Sequence, residues 1–231
     1  MISKYLIVKD SIIFSNEYNE ELDDYLPFET VRGVIFGEKN IYGENYYSKF
    51  NKNIDILQKY DNIFSLELLY SFNQPINCLP INLEELTLGM NFNQKIDNLP
   101  KNLKSLILGK NFNQTVDNLP IGLKYLIFHQ YGKFNQRVDF LPNTLEMLEL
   151  GDHFNQPLDN LPESLIILNI SYDSKFNKEI NNLPDSLKII ELGKNYNKPF
   201  KRLPINLEEI SVLHFYKHKM PKSDIVIKYY T

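Results

Sequence analysis

Leu83-Glu84-Glu85-Leu86-Thr87-Leu88-Gly89-Met90-Asn91-Phe92-Asn93-Gln94-Lys95-Ile96-Asp97-Asn98-Leu99-Pro100 is one copy of a phrase that recurs along this chain, and its reading decides the fold. Leu86 and Leu88 alternate with Glu85 and Thr87, the pattern of a half-buried strand with its leucines inward. Gly89 closes the strand and lets the chain turn; it recurs at Gly109, Gly151 and Gly193. Phe92-Asn93 and the apolar Ile96 follow, then Asp97-Asn98, a turn-favouring pair. Leu99-Pro100 leads to Leu103, where the next strand starts. Proline has no N–H to give a ladder and holds the residue before it extended, so this limb lies outside the sheet.

The phrase keeps a fixed period. Phe-Asn pairs start at Phe72, Phe92, Phe112, Phe134, Phe154 and Phe176, with Tyr196-Asn197 as a variant. Leu-Pro pairs start at Leu79, Leu99, Leu119, Leu141, Leu161, Leu183 and Leu203. Both series step by 20, 20, 22, 20, 22 and 20 residues. Such a period means a solenoid, in which each coil buries its apolar face by stacking on its neighbours. Twenty residues leave little room for a full helix beside the strand. The expected fold is a leucine-rich-repeat solenoid of α/β-horseshoe type, mostly β. One curved parallel sheet of about ten strands lines its concave side, and extended or short 3-10 segments form the convex side. Equivalent residues then form ladders: an inner column of phenylalanines, and a column of asparagines whose amides satisfy backbone groups in the buried turns.

The whole of 1–231 reads as one repeat domain. Residues 1–14 supply an opening cap strand, 15–71 degenerate repeats, 72–213 the regular 20/22-residue repeats and 214–231 a C-terminal cap. Within the degenerate stretch, Tyr18-Asn19 with Leu26-Pro27 and Phe50-Asn51 with Ile54 and Leu57 each carry a weakened phrase. At the other end Leu207-x-x-Ile210-x-Val212 is the last good strand, and Met220-Pro221 with Ile225-Val226-Ile227 reads as a shortened closing repeat. Lys217, Lys219, Lys222 and Lys228 give the cap a solvated outer face.

Hydrophobic residues make up 43% of the chain, enough for a continuous core. The net charge of −4 argues against nucleic acid as a partner, since phosphate binding needs a concentrated basic surface. No apolar run reaches the length of a membrane span, and Met1 to Val8 is too short and too soon interrupted by Lys9-Asp10 to be a signal-peptide core. One cysteine, Cys78, permits no internal disulfide and suits a reducing compartment, so the expected location is intracellular. Asn113 and Asn169 open Asn-x-Ser/Thr triplets by coincidence within the repeat.

Strand alternation assigns the outward, concave residues to two columns. One runs Gly33, Ser65, Glu85, Ser105, Tyr125, Met147, Ile167, Ile189, Glu209. The other runs Ile35, Glu67, Thr87, Ile107, Ile127, Glu149, Asn169, Glu191, Ser211. Solvent-facing strand positions are ordinarily polar. Ile107, Tyr125, Ile127, Met147, Ile167 and Ile189 break that rule on neighbouring strands, so they form a patch, and glutamates including Glu149 and Glu191 rim it. Contiguous exposed apolar surface marks interaction sites, and aromatic and methionine side chains suit a protein interface. A partner with an apolar anchor and basic flanks fits such a surface. The alternative is cover by a second copy or by a segment of the same chain. The 22-residue repeats each gain two residues between strand and aromatic, in His129-Gln130-Tyr131-Gly132-Lys133 and Ser171-Tyr172-Asp173-Ser174-Lys175. They set Tyr131 and Tyr172 on one rim as further contact candidates.

Catalytic chemistry finds no constellation. His214 and His218 lie four apart without a helix face to join them or a carboxylate at ligand spacing, so no metal is expected. Cys78 has no histidine in the matching slot of an adjacent coil, which leaves it without a base. Glu149 and Glu191 share a column, but acid–base work would need a pocket around them. The expectation is no enzyme, no catalytic residue and no cofactor.

Leu-x-x-Leu-x-Leu with its Leu-Pro-x-x-Leu link is similar to short leucine-rich repeats. Phe-Asn-x-x-Ile/Leu-x-x-Leu-Pro resembles the FNIP repeat, a motif abundant in social amoebae and in giant DNA viruses that infect amoebae. The resemblance spans residues 18 to 213, with seven consecutive copies. It implies a solenoid used for protein binding. Many members of that family carry an N-terminal F-box that docks on a ubiquitin ligase, which implies a possible role in substrate recognition. Residues 1–49 read here as degenerate repeats rather than a compact helical adaptor. The Leu-Pro-x-x-Leu wording is also similar to bacterial effector repeats that can precede a ligase domain, whereas residues after 213 read as a cap. Two functions follow: a binding module that grips a host or viral protein, or a self-associating structural protein such as a particle component.

Overall fold

A computed structural model describes residues 4–37, 47–213, 216–220 and 225–230. Each alternating phrase is a short strand in it. The strands are β1 Tyr5–Val8, β2 Ser11–Phe14, β3 Gly33–Phe36, β4 Ser65–Leu68, β5 Glu85–Leu88 and β6 Ser105–Leu108. They continue with β7 Tyr125–Phe128, β8 Met147–Leu150, β9 Ile167–Ile170, β10 Ile189–Glu191, β11 Glu209–Leu213 and β12 Val226–Tyr230. All lie in one sheet in chain order, every neighbour parallel except β1 with β2. The sheet is a leucine-rich-repeat solenoid wall, with 12 described strands against the ten or so expected. One excess strand arises at the opening, where a single strand was expected. Lys9 adopts φ 55° and reverses the chain, so the charged Lys9-Asp10 break is a hairpin turn between two strands. The closing segment forms β12 in parallel register with β11. His214, Pro221 and Lys222 lie outside the described residues.

The convex limb is built from turns. In each regular coil the Leu-Pro carbonyl accepts the N–H of the leucine three residues on: Leu83 N–H on Pro80 at 3.2 Å, Leu103 on Pro100 at 3.1 Å, Leu145 on Pro142 at 3.0 Å. Proline loses nothing here, because only its carbonyl is used. Two 3-10 turns, Phe28–Thr30 and Asp55–Lys59, occupy this limb in the degenerate coils, and the described residues contain no α-helix.

Inside, Leu66, Leu86, Leu106, Leu126, Leu148 and Leu168 are sealed from solvent together with the phenylalanine column. Phe72, Phe92 and Phe112 stack at 6.2 Å with nearly parallel rings, and the column runs on through Phe134, Phe154, Phe176 and Tyr196 to Tyr216. Beside it the asparagines form a hydrogen-bonded ladder. The N–H of Asn93 donates to Oδ1 of Asn73, and that of Asn113 to Oδ1 of Asn93, each at 2.9 Å. A glutamine follows in step, Gln94 and Gln114 donating to the carbonyl of the preceding asparagine at 3.1 Å.

The strand-end glycines have a different reason from the one their position suggests. Gly89, Gly109, Gly151 and Gly193 have no positive φ; Gly37 is the glycine that does. They are glycine because the coils approach too closely for a side chain. A Cβ on Gly109 would lie 2.1 Å from the carbonyl oxygen of Gly89, and one on Gly151 would lie 2.4 Å from that of His129.

The stack fans outward. Between the coils of β2 and β3, the strand-borne rings of Phe14 and Phe36 are 4.6 Å apart, whereas Tyr18 and Phe50, deeper in the same coils, are 6.0 Å apart. Wider spacing away from the sheet than at it bends the solenoid with the sheet on its concave side.

Candidate functional site: the open face of the sheet

The register aligns both outward columns. Ser105, Tyr125, Met147, Ile167 and Ile189 lie side by side on β6 to β10, and so do Ile107, Ile127, Glu149, Asn169 and Glu191. Neighbouring strands about 4.8 Å apart therefore bring the apolar members into contact range as one surface. Exposure within it is uneven. Ile107 at 37% and Tyr125 at 39% stand open, while Ile127, Met147, Ile167 and Ile189 are half-buried because side chains on adjoining strands cover one another.

Charge on this face is one-sided. From β3 to β11 its outward residues include Glu67, Glu85, Glu149, Glu191 and Glu209 and no lysine or arginine. Glu209 pairs with Lys228 of β12 at 2.7 Å. One residue before the strands, a second row carries both signs and pairs them across neighbouring coils: Lys104 with Glu84 at 2.8 Å, Lys124 with Glu146 at 2.7 Å, Lys188 with Glu208 at 2.8 Å. Those pairs were not foreseen, though opposite charges at coil spacing are visible in the sequence.

Glu149 and Glu191 have no hydrogen bond or ion pair among the described residues. They border a cleft of about 240 Å³ with Asn169 between them, edged by Gln130, Ser171 and Tyr172; Phe128, Leu150 and Ile170 lie beneath it with their side chains sealed in the core. Burial, and then the charge of Glu191, raise the pKa of Glu149 above the ordinary carboxylate range. The two-residue insertions explain the cleft's edge. Each lengthens the turn after its strand, closed by Gly132 N–H on the His129 carbonyl at 2.7 Å and by Ser174 N–H on that of Ser171 at 2.9 Å. Gln130 and Ser171, passed over in the sequence, reach the cleft this way.

The two rim tyrosines part company. Tyr172, 41% exposed, joins the cleft, and Lys194 lies 5.5 Å over its ring while ion-paired to Asp173. Tyr131, 53% exposed, leans on His129 instead and does not line the cleft. Burial and the nearby Lys110 lower the pKa of His129.

No group of three metal-ligating side chains occurs among the described residues. His218 contacts the Asn197 carbonyl at 3.2 Å at the end of the asparagine ladder. Cys78 lies on the convex side in a depression with Asn98, Leu99 and Pro100. No described helix is long and apolar enough to cross a membrane. The convex side exposes single apolar residues unforeseen from the repeat, among them Ile81, Ile121, Phe140 and Ile205.

The family model described as FNIP Repeat matches residues 72–98, 92–131, 134–173 and 176–212. A search of curated proteins finds no match. Among solved structures, the chain is similar to CroV588, described as a novel circular LRR protein structure and coming from a giant virus. That similarity has 26% identity and a TM-score of 0.60 and covers 98% of this chain and 44% of that one. It is also similar to an internalin (inlF) from Listeria monocytogenes, at 16% identity and a TM-score of 0.63, covering 93% of this chain and 62% of that one. The chain thus spans less than two thirds of the length of either protein.

Proposed function

This chain belongs to the FNIP-repeat family, and we propose that it is a non-enzymatic module that binds a partner protein through the concave face of its sheet. The leucine-rich-repeat-like fold is typical of interaction proteins. The observation that carries the reading to this face is the contiguous apolar surface of Ile107, Tyr125, Ile127 and Met147, with Ile167 and Ile189 continuing it, beside unpaired carboxylates. Contiguous apolar surface of this kind is uncommon on a free face and is ordinarily covered by a partner. Glu149, Glu191 and Tyr172 edge that surface; Tyr131 would contact only a partner broad enough to overlap the rim. The test is capture from amoebal lysate with the wild type beside the Ile127→Glu/Tyr125→Ala double variant, read by mass spectrometry. A protein retained by the wild type and lost with the variant supports this reading; identical captures refute it.

Self-association is a second reading, favoured by a separate observation. Strand β1, outermost among the described strands, exposes Leu6 at 59%, Ile7 at 51% and Val8 at 48%, and an apolar sheet edge is a template for another strand. CroV588, to which the chain is similar, is described as circular, a precedent for a closed arrangement of such repeats. A solution mass of one chain at micromolar concentration would exclude this second reading, and a dimer reduced to a monomer by Ile7→Lys would support it.

A further inference from the structure

The face offers two unlike surfaces at a fixed separation. On β6 and β7 stand the most open apolar side chains of β3 to β11, Ile107 and Tyr125, with Ile127 beside them. On β8 to β10 the cleft holds two carboxylates with no partner. Among the described residues Glu85 on β5 is also without a partner, but it is exposed and lies outside the cleft. The adjoining glutamates Glu84, Glu146 and Glu208 each receive a lysine from a neighbouring coil, and Glu209 receives Lys228. Glu149 and Glu191 receive none, although like charges in a half-buried cleft oppose each other.

The chemistry of an occupant follows from size and spacing. At about 240 Å³ the cleft is smaller than the usual range for a drug-sized ligand or cofactor and fits one long side chain. The carboxylates stem from strands two apart, roughly 10 Å, a wide span for one small cation held at 2.3–2.6 Å and a suitable one for a guanidinium or ammonium on an alkyl stem. The stem meets the Tyr172 ring and the Asn169 side chain between the two carboxylates, a contact that an ion would leave unused.

We propose that the cleft between Glu149 and Glu191 seats a single lysine or arginine of the partner. In the same segment, an apolar residue four positions away packs on Ile107, Tyr125 and Ile127. The spacing comes from geometry: the two surfaces are centred about two and a half strands apart, roughly 12 Å, and four residues of extended chain advance roughly 13 Å and return to the same side. The proposal rests on concave-face binding and adds the partner's chemistry.

The test is selection of a phage-displayed library of random dodecapeptides on the wild-type chain. Synthetic winners are then measured by fluorescence anisotropy on the wild type, Glu149→Gln/Glu191→Gln and Ile127→Glu, each first shown by thermal melting to be folded. The expected winners carry Lys or Arg four residues from an apolar residue. They bind Glu149→Gln/Glu191→Gln roughly tenfold or more weakly, and replacing their basic residue by Gln costs a similar factor on the wild type and little on that variant. Winners without a basic residue, or indifferent to Glu149→Gln/Glu191→Gln yet lost on Ile127→Glu, overturn the seat and leave concave binding standing. Winners indifferent to both variants, or a library that yields none, overturn the seat and count against concave binding as well.

Discussion

The side-chain oxygen of Asn93 accepts the backbone N–H of Asn113 from the next coil at 2.9 Å, and the Gln114 amide reaches the same oxygen at 3.2 Å. One amide thus closes two donors that the aromatic turn would otherwise leave inside the solenoid. Asn93→Leu removes the acceptor and strands both. The expected loss is about 1–3 kcal/mol, measured by urea unfolding, with Asn93→Asp losing less because it keeps an acceptor oxygen. Equal losses would show that the ladder is incidental.

Gly109 and Gly122 make a paired test of close approach. Alanine at Gly109 puts a Cβ 2.1 Å from the Gly89 carbonyl oxygen, whereas at Gly122 the nearest atom outside its own segment is the Lys101 oxygen at 3.4 Å. Gly109→Ala is expected to lower stability by about 1–3 kcal/mol, the usual range for overpacking, and Gly122→Ala to change it little. Thermal melts of the two variants decide it.

Tyr196 replaces phenylalanine in the aromatic column, and its hydroxyl is buried without a hydrogen-bond partner; burial raises its pKa. Tyr196→Phe removes an unmet polar atom and keeps the ring. It is expected to stabilise the fold by about 1 kcal/mol. A fall in melting temperature would mean that the hydroxyl has a partner in solution.

Glu149 gives a pH signature. Its pKa is raised in the folded chain by burial and by Glu191, so ionising it opposes folding. Glu149→Gln is therefore expected to be more stable than the wild type at pH 7. That advantage should shrink as pH falls through the raised pKa of Glu149 and be gone below the ordinary carboxylate range. Melts of both proteins across that interval give the sign. A variant less stable at pH 7 would show the carboxylate to be compensated.

Much of this was legible in the residues. Leu86 and Leu88 alternating with Glu85 and Thr87 set strand, face and register, because a one-residue slip would turn the leucines to solvent. The columns through Tyr125 and Ile127 follow from that register alone. Three features escaped. Lys9 at φ 55° made a hairpin from what reads as one broken strand, since a charged pair signals an interruption without saying which way the chain leaves it. Gly109 is needed for coil-to-coil distance, a property of two repeats that neither shows by itself. The cleft depended on where inserted loops carry Gln130 and Ser171. The lack of a partner for Glu149 became visible only once the lysines of the adjoining row were seen to be taken by Glu84, Glu146 and Glu208.

Placing a photo-crosslinking amino acid at Tyr125, and separately at Ile121, tests concave-face binding most directly. Tyr125 stands on the open sheet face, and Ile121, 83% exposed, stands on the convex limb one turn before it. Irradiation in amoebal lysate should give a covalent adduct with one protein from position 125 and none from position 121. Adducts from position 121 alone would place the partner on the convex side and contradict the concave sheet as the binding surface.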